Sequence, residues 1–117
     1  MKAVVAASQH WMDGEVIREC LVELPISSTV VVSSRSGGDT LVAKIAEEEL
    51  ALHVERFDIQ GGERSSLRSS LIEELENDVD AAFFFCNDDA EEEYFVSKYS
   101  RTQRIPTEVV IKKFGGM

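Results

Sequence analysis

Strand-like and helix-like segments alternate along this chain from its first residues to residue 111. Five short segments, apolar or alternating, predict strands at about 2–7, 29–33, 53–58, 81–86 and 107–111. Four intervening segments have apolar residues at helical spacing, at about 15–24, 39–50, 66–77 and 90–102. Such alternation is typical of a parallel sheet covered by helices on both faces. We therefore predict an α/β fold, a three-layer Rossmann-like sandwich with a mostly parallel five-stranded sheet.

Length, charge and cysteine content limit the classes of function. The 117 residues suffice for a single domain spanning 1–117, and the net charge of -10 disfavours bulk nucleic acid as a partner. The chain shows neither a signal-peptide pattern nor an apolar run long enough for a membrane span, so we expect a cytoplasmic protein without a membrane partner. We expect Cys20 and Cys86 to be buried, reduced thiols. Zinc-site spacing is absent from the sequence, and we predict no metal and no cofactor.

The stretch from Thr29 to Ala43 is the first candidate site. It predicts a strand, a small polar loop and a helix, and the free N–H groups and dipole at a helix N-terminus attract anions. Glycines allow a ligand to approach the backbone, and an arginine can clamp phosphate or carboxylate. The candidate ligand-binding residues here are Ser34, Arg35, Ser36, Gly37, Gly38, Asp39 and Thr40. A plain strand-to-helix turn, with Asp39 as the helix N-cap and Arg35 in a surface salt bridge, is the alternative.

Parallel topology predicts where this loop meets others. Ligands of open α/β sheets bind beyond the carboxyl ends of the strands, at the switch point in strand order. Four loops follow predicted strands, at about 8–11, 33–39, 58–62 and 87–91. We expect these loops to converge on one crevice.

Three motifs resemble the SLOG superfamily of Rossmann-like domains. The first strand of its short members ends in Gly-Ser-Arg and an aromatic residue, where this chain has Ala-Ser-Gln-His-Trp at 7–11. Their second strand enters a His-Gly-Gly-Ala-Arg-Gly-Ala-Asp stretch, where this chain has Ser-Ser-Arg-Ser-Gly-Gly-Asp-Thr at 33–40. An Arg-Asn pair near their third helix corresponds to Arg68 and Ser69. The resemblance implies a nucleotide-like ligand with its phosphate at the glycine-rich loop, and some members cleave nucleotide N-glycosidic bonds.

Residues outside the glycine loop complete the candidate ligand site. Trp11 could stack on a base or pack over the sheet edge, and Ser8 could bind the ligand or a neighbouring loop. Arg68, in the first turn of the third predicted helix, is disfavoured by the helix dipole and could face an anionic ligand. Asn87 could contact base or sugar.

Acidic residues follow the fourth predicted strand. They could complement the dipole of the next helix, bind magnesium, or serve in glycoside cleavage, for which the candidates are Asp88 and Glu91.

Together these features favour a domain that binds a nucleotide or nucleotide-derived ligand at the carboxyl edge of the sheet. A nucleotide N-glycosidic-bond hydrolase is the first alternative, with Asp88 or Glu91 as the catalytic group. The second alternative is a ligand-free interaction domain that works as a homodimer. We expect a homodimer for the ligand-binding domain as well.

Overall fold

The structure is a computed structural model that describes residues 1–59, 64–88 and 90–112. Strands and helices alternate along the chain, as predicted. A short π-helix, Ile45–Glu49, directly extends the second α-helix. The remaining elements are β1 (Lys2–Ala7), α1 (Gly14–Leu21), β2 (Thr29–Ser33), α2 (Gly38–Lys44), β3 (His53–Phe57), α3 (Arg64–Leu75), β4 (Ala81–Cys86), α4 (Glu92–Thr102) and β5 (Thr107–Ile111).

All five strands form one parallel sheet in the order β3-β2-β1-β4-β5. This confirms the predicted α/β class and Rossmann-like sheet, and the sheet is wholly rather than mostly parallel. The chain begins in the centre, runs outward through β2 and β3, and then crosses back to β4 and β5. β1 and β4 are therefore neighbours at the point where the strand order reverses.

The core consists of two layers, one on each face of the sheet. Val5 and Ala7 of β1 pack with α1 and α2 on one face, and Val4 and Ala6 pack with α3 and α4 on the other. Burial on both faces explains why β1 is a continuous apolar run instead of an alternating one. Among the described helices, none is long and apolar enough to cross a membrane.

The two cysteines are free, as predicted, but they differ in burial. Cys86 is fully buried at the end of β4. Cys20 is only partly buried in α1, and its Sγ lies 3.7 Å from Oε1 of Glu108. The prediction of two buried thiols is therefore confirmed for Cys86 alone.

Helix ends differ from the predictions by a few residues. Asp13 caps α1, accepting a hydrogen bond from the amide of Val16 at 3.3 Å, and α1 ends at Leu21 instead of the predicted Leu24. After Lys44 the hydrogen bonds widen to the π pattern, in which the amide of Leu50 donates to the carbonyl of Ile45.

Other bounds also differ by one or two residues. α3 spans 64–75 instead of 66–77, α4 begins at 92 instead of 90, and β3 ends at 57 instead of 58. Part of the predicted loop at 58–62 and the tail after 112 lie outside the described residues.

Candidate functional site

A cleft of about 400 Å³ lies at the switch point, beyond the carboxyl ends of β1 and β4. The loop after β1 forms one wall, and the loop after β4 with the start of α4 forms the other. This is where open α/β sheets bind their ligands. The residues that line it are Ser8, Gln9, His10, Arg35, Leu67, Asp88, Ala90, Glu91, Glu92 and Glu93.

Four predicted site residues share this cleft: Ser8, Arg35, Asp88 and Glu91. Two of the four loops expected to converge, those after β1 and β4, therefore meet here. Arg35 brings in a third. The other predicted ligand-binding residues are absent from the described lining.

Glu91 ties the two walls together. One carboxylate oxygen accepts a hydrogen bond from Oγ of Ser8 at 2.7 Å. The other accepts from the amides of Asn87 at 2.6 Å and Asp88 at 3.3 Å. Asp88 in turn accepts from the amide of Ala90 at 2.7 Å. Both predicted catalytic candidates thus shape the loop between β4 and α4 in addition to lining the cleft.

Arg35 stands between two buried carboxylates. Its Nη2 lies 2.8 Å from Oε2 of Glu93 and 3.2 Å from Oδ2 of Asp39, and it donates to the carbonyl of Ala7 at 2.8 Å. Asp39 and Glu93 are only 1% and 4% exposed. Burial alone would lower the pKa of Arg35, but the charges and hydrogen bonds of Asp39 and Glu93 raise it. Arg35 therefore neutralises buried charge inside the protein and is not an unoccupied anion clamp.

Asp39 binds the backbone of β1 at the point where β1 and β2 separate. β1 pairs with β2 only as far as Val4, whereas its pairing with β4 continues to Ala7. The peptide groups of Ala7 that face β2 are satisfied by side chains: its N–H donates to Asp39 at 2.8 Å, and its carbonyl accepts from Arg35. Asp39 also accepts a hydrogen bond from Oγ of Ser33.

Asp39 is therefore not the N-cap of α2. That position belongs to Gly37, and no side chain caps the helix there. Burial raises the pKa of Asp39, and this rise is opposed by the charge of Arg35 and by the hydrogen bonds from Ser33 and Ala7.

Gly37 and Gly38 allow the backbone of the loop after β1 to pack directly against them. A Cβ on Gly37 would lie 2.3 Å from the carbonyl oxygen of Gln9, and one on Gly38 would lie 2.2 Å from that of Ser8. Gly37 also has φ of +91°, which favours glycine. The close approach at these glycines is therefore made by the loop after β1, which occupies the place expected for an anionic ligand.

Trp11 belongs to the core. It is 3% exposed, its ring centroid lies 5.6 Å from that of Phe85, and its Nε1 donates to the carbonyl of Asp13 at 2.9 Å. The prediction that Trp11 stacks on a base is therefore wrong, and Trp11 packs over the sheet, which was the alternative.

Arg68 lies in the second turn of α3, not the first. It pairs with Glu92 at 2.7 Å and lies over the ring of Phe95, 3.9 Å from the centroid. The ion pair with Glu92 accounts for an arginine at this position without an anionic ligand.

The remaining predicted ligand residues have local partners or face solvent. Ser34 donates to Asp58 at 2.6 Å, and Thr40 donates to the carbonyl of Arg35 at 3.2 Å. Nδ2 of Asn87 donates to the carbonyl of Lys112 at 3.1 Å. Ser36 is exposed.

Sequence reasoning missed Glu93, the most buried carboxylate among the described lining residues. The sequence places Glu93 among the acidic residues after the fourth predicted strand, with the same three possible roles as its neighbours. Glu93, Val96, Ser97 and Ser100 are all buried on α4, at spacings of three, four and seven residues. That periodicity places Glu93 on the inner stripe of the helix, so the signal was present in the sequence.

The cleft is strongly negative. Four carboxylates line it, and Arg35 is the one permanently cationic side chain among the described lining residues. Behind it, burial raises the pKa of Cys86 to about 12, and Glu93, Glu91 and Asp88 contribute to this rise. The described residues contain no group of three or more His, Cys, Asp or Glu placed to hold a metal ion.

No protein-family model, curated protein or solved structure matches this chain. The resemblance to the SLOG superfamily therefore stays a prediction. Its first two motifs lie at the cleft, where Ser8 and Arg35 are lining residues.

Proposed function

We propose that this protein binds a nucleotide-derived small molecule in the switch-point cleft. One observation carries the proposal: two loops far apart in sequence form a polar cleft where parallel sheets of this topology bind ligands. Its volume, about 400 Å³, lies within the range of roughly 300–1,000 Å³ common for small-molecule sites.

The lining residues suit a ligand with hydroxyl and N–H groups. Carboxylates accept hydrogen bonds only, and an acidic side chain near the switch point holds ribose hydroxyls in many dinucleotide-binding domains. Gln9 is exposed at the opposite wall, and its side-chain amide offers a further donor and acceptor. Leu67 adds an apolar surface on which a base can pack.

Ligand binding is tested by thermal unfolding and titration calorimetry against nucleosides, their 5′-monophosphates and dinucleotides. A ligand at one hundred times its Kd stabilises the folded state by about 2.7 kcal/mol, which raises Tm by several degrees. The matched variants are Gln9→Trp, which fills the cleft, and Gln103→Trp, beyond the far end of α4. We expect the first to abolish the Tm increase and the second to retain it. No Tm increase with any ligand contradicts the proposal.

Glycosidic cleavage is tested in the same samples. Asp88 and Glu91 line the cleft, so a hydrolase would release free base from a bound nucleotide. Chromatography of each incubation detects that base, and Asp88→Asn or Glu91→Gln should stop its release.

A homodimeric interaction domain is favoured by a second surface. Val22 and Ile26 are 59% and 95% exposed, beside an apolar cleft of about 350 Å³ that Leu24 and Leu50 also line. Exposed apolar patches of this kind mark contact sites. If two copies join here, light scattering gives the dimer mass and Ile26→Asp gives the monomer mass.

A further inference from the structure

We infer that Glu93 occupies the anion position beside Arg35, and that the cleft therefore selects nucleosides or free bases over nucleotides. This inference rests on the proposed function and names the ligand class of the same site. It assigns Glu93 as the residue that determines specificity.

The contacts of Arg35 support this assignment. An arginine on a cleft wall is the group that would hold a ligand phosphate. Here Nη2 of Arg35 already has three acceptors within 3.2 Å: Glu93, Asp39 and the carbonyl of Ala7. Its single positive charge faces two carboxylates, so an arriving phosphate meets no net positive charge at this point.

The rest of the cleft adds repulsion. Asp88, Glu91 and Glu92 line the walls beside Glu93. Arg68, the nearby cation on α3, is paired with Glu92 at 2.7 Å. A phosphate entering the cleft must displace carboxylates or lie against them, whereas a neutral sugar or base can donate hydrogen bonds to them.

Charge balance makes Glu93→Gln the informative variant. It removes one of the two carboxylates and leaves a one-to-one pair between Arg35 and Asp39. Glutamine has nearly the same volume and its carbonyl oxygen can still accept from Arg35. The control is Glu47→Gln, which neutralises a glutamate paired with Arg56 at 2.7 Å on the exposed surface, outside the cleft.

Calorimetry compares adenosine, guanosine, cytidine and uridine with their 5′-monophosphates on wild type and both variants. We expect wild type to bind at least one nucleoside ten or more times more tightly than its monophosphate. Glu93→Gln should reduce that ratio at least tenfold, and Glu47→Gln should keep it within twofold of wild type. Circular dichroism confirms that each variant is folded.

Wild-type protein gives an independent measurement if Glu93→Gln does not fold. Repulsion from the cleft is screened by salt, so the affinity for the monophosphate should rise between about 20 mM and 500 mM salt while the affinity for the nucleoside stays constant.

Three outcomes overturn the inference alone: equal wild-type affinities for nucleoside and monophosphate, an unchanged ratio in folded Glu93→Gln, or monophosphate affinity that falls with salt. Failure of every panel member to bind overturns the proposed function as well.

Discussion

Replacing Arg35 with methionine should destabilise this protein far more than removing any surface arginine. Arg35→Met keeps an unbranched side chain but removes the charge that lies 2.8 Å from Glu93 and 3.2 Å from Asp39. It also removes the hydrogen bond to the carbonyl of Ala7 at 2.8 Å. The variant therefore leaves two buried carboxylates without the cation between them and the carbonyl of Ala7 without its side-chain donor.

The expected loss is about 3–5 kcal/mol at neutral pH, the usual effect of breaking a buried ion pair from one side. For a domain with a total stability of roughly 5–15 kcal/mol, this is a large fraction. With a urea m-value of about 2 kcal/mol/M, the unfolding midpoint should fall by roughly 2 M. Arg56→Met is the matched control, because Arg56 and its partner Glu47 are 46% and 44% exposed. Such surface pairs contribute about 0–1 kcal/mol.

The loss should also depend on pH in a defined direction. Burial raises the pKa of Asp39 in the folded state above its ordinary value of 3.8, and Arg35 opposes the rise. An acid whose pKa is raised by folding binds protons more tightly when folded, so stability falls as the pH rises from the ordinary pKa of 3.8 to the raised pKa, and it levels off above that. Without Arg35 the pKa of Asp39 rises further. The difference between wild type and variant should therefore grow from acid toward neutral pH.

Urea unfolding followed by circular dichroism at several pH values measures both effects. Tryptophan fluorescence gives a second probe of the same transition. Equal losses for Arg35→Met and Arg56→Met, or a loss that is independent of pH, would refute the role assigned to the buried cluster.

Three further predictions concern single residues. Gly38→Ala should destabilise the fold by about 1–3 kcal/mol, because its Cβ would lie 2.2 Å from the carbonyl oxygen of Ser8; urea unfolding measures the loss. Trp11→Ala should cost about 3–5 kcal/mol as a large-to-small core substitution, and a loss below 1 kcal/mol would contradict its place in the core. Cys86 should resist a thiol reagent at pH 8 in the native protein, since it is buried with its pKa raised to about 12, whereas the partly exposed Cys20, with its pKa raised to about 11, should react first; mass spectrometry after timed quenching identifies the modified thiol.

The order and type of the elements could be predicted from the amino-acid sequence. Four of the five strands begin and end at the predicted residues. The clearest case is Ala81–Cys86, a continuous apolar run that packs between helices on both faces of the sheet. Strand-helix alternation then required a parallel sheet, and its switch point brought Ser8, Asp88 and Glu91 to one cleft. These features follow from local periodicity and general rules of topology.

The roles of the polar residues, in contrast, depend on contacts between segments that are distant in the sequence. Asp39 stands where the local sequence predicts a helix cap, but it accepts its hydrogen bond from the amide of Ala7. Ala7 belongs to β1, which the local sequence pattern around Asp39 does not indicate as a neighbour. Arg35 stands where the local sequence predicts an anion clamp, but its guanidinium pairs with Glu93 instead. Glu93 is 58 residues away in sequence and 2.8 Å away in space. Unpaired buried charge is costly, so the partner of a charged group depends on which groups lie close to it and how deeply they are buried in the folded chain. Neither the distance nor the burial can be read from the residues next to it in sequence.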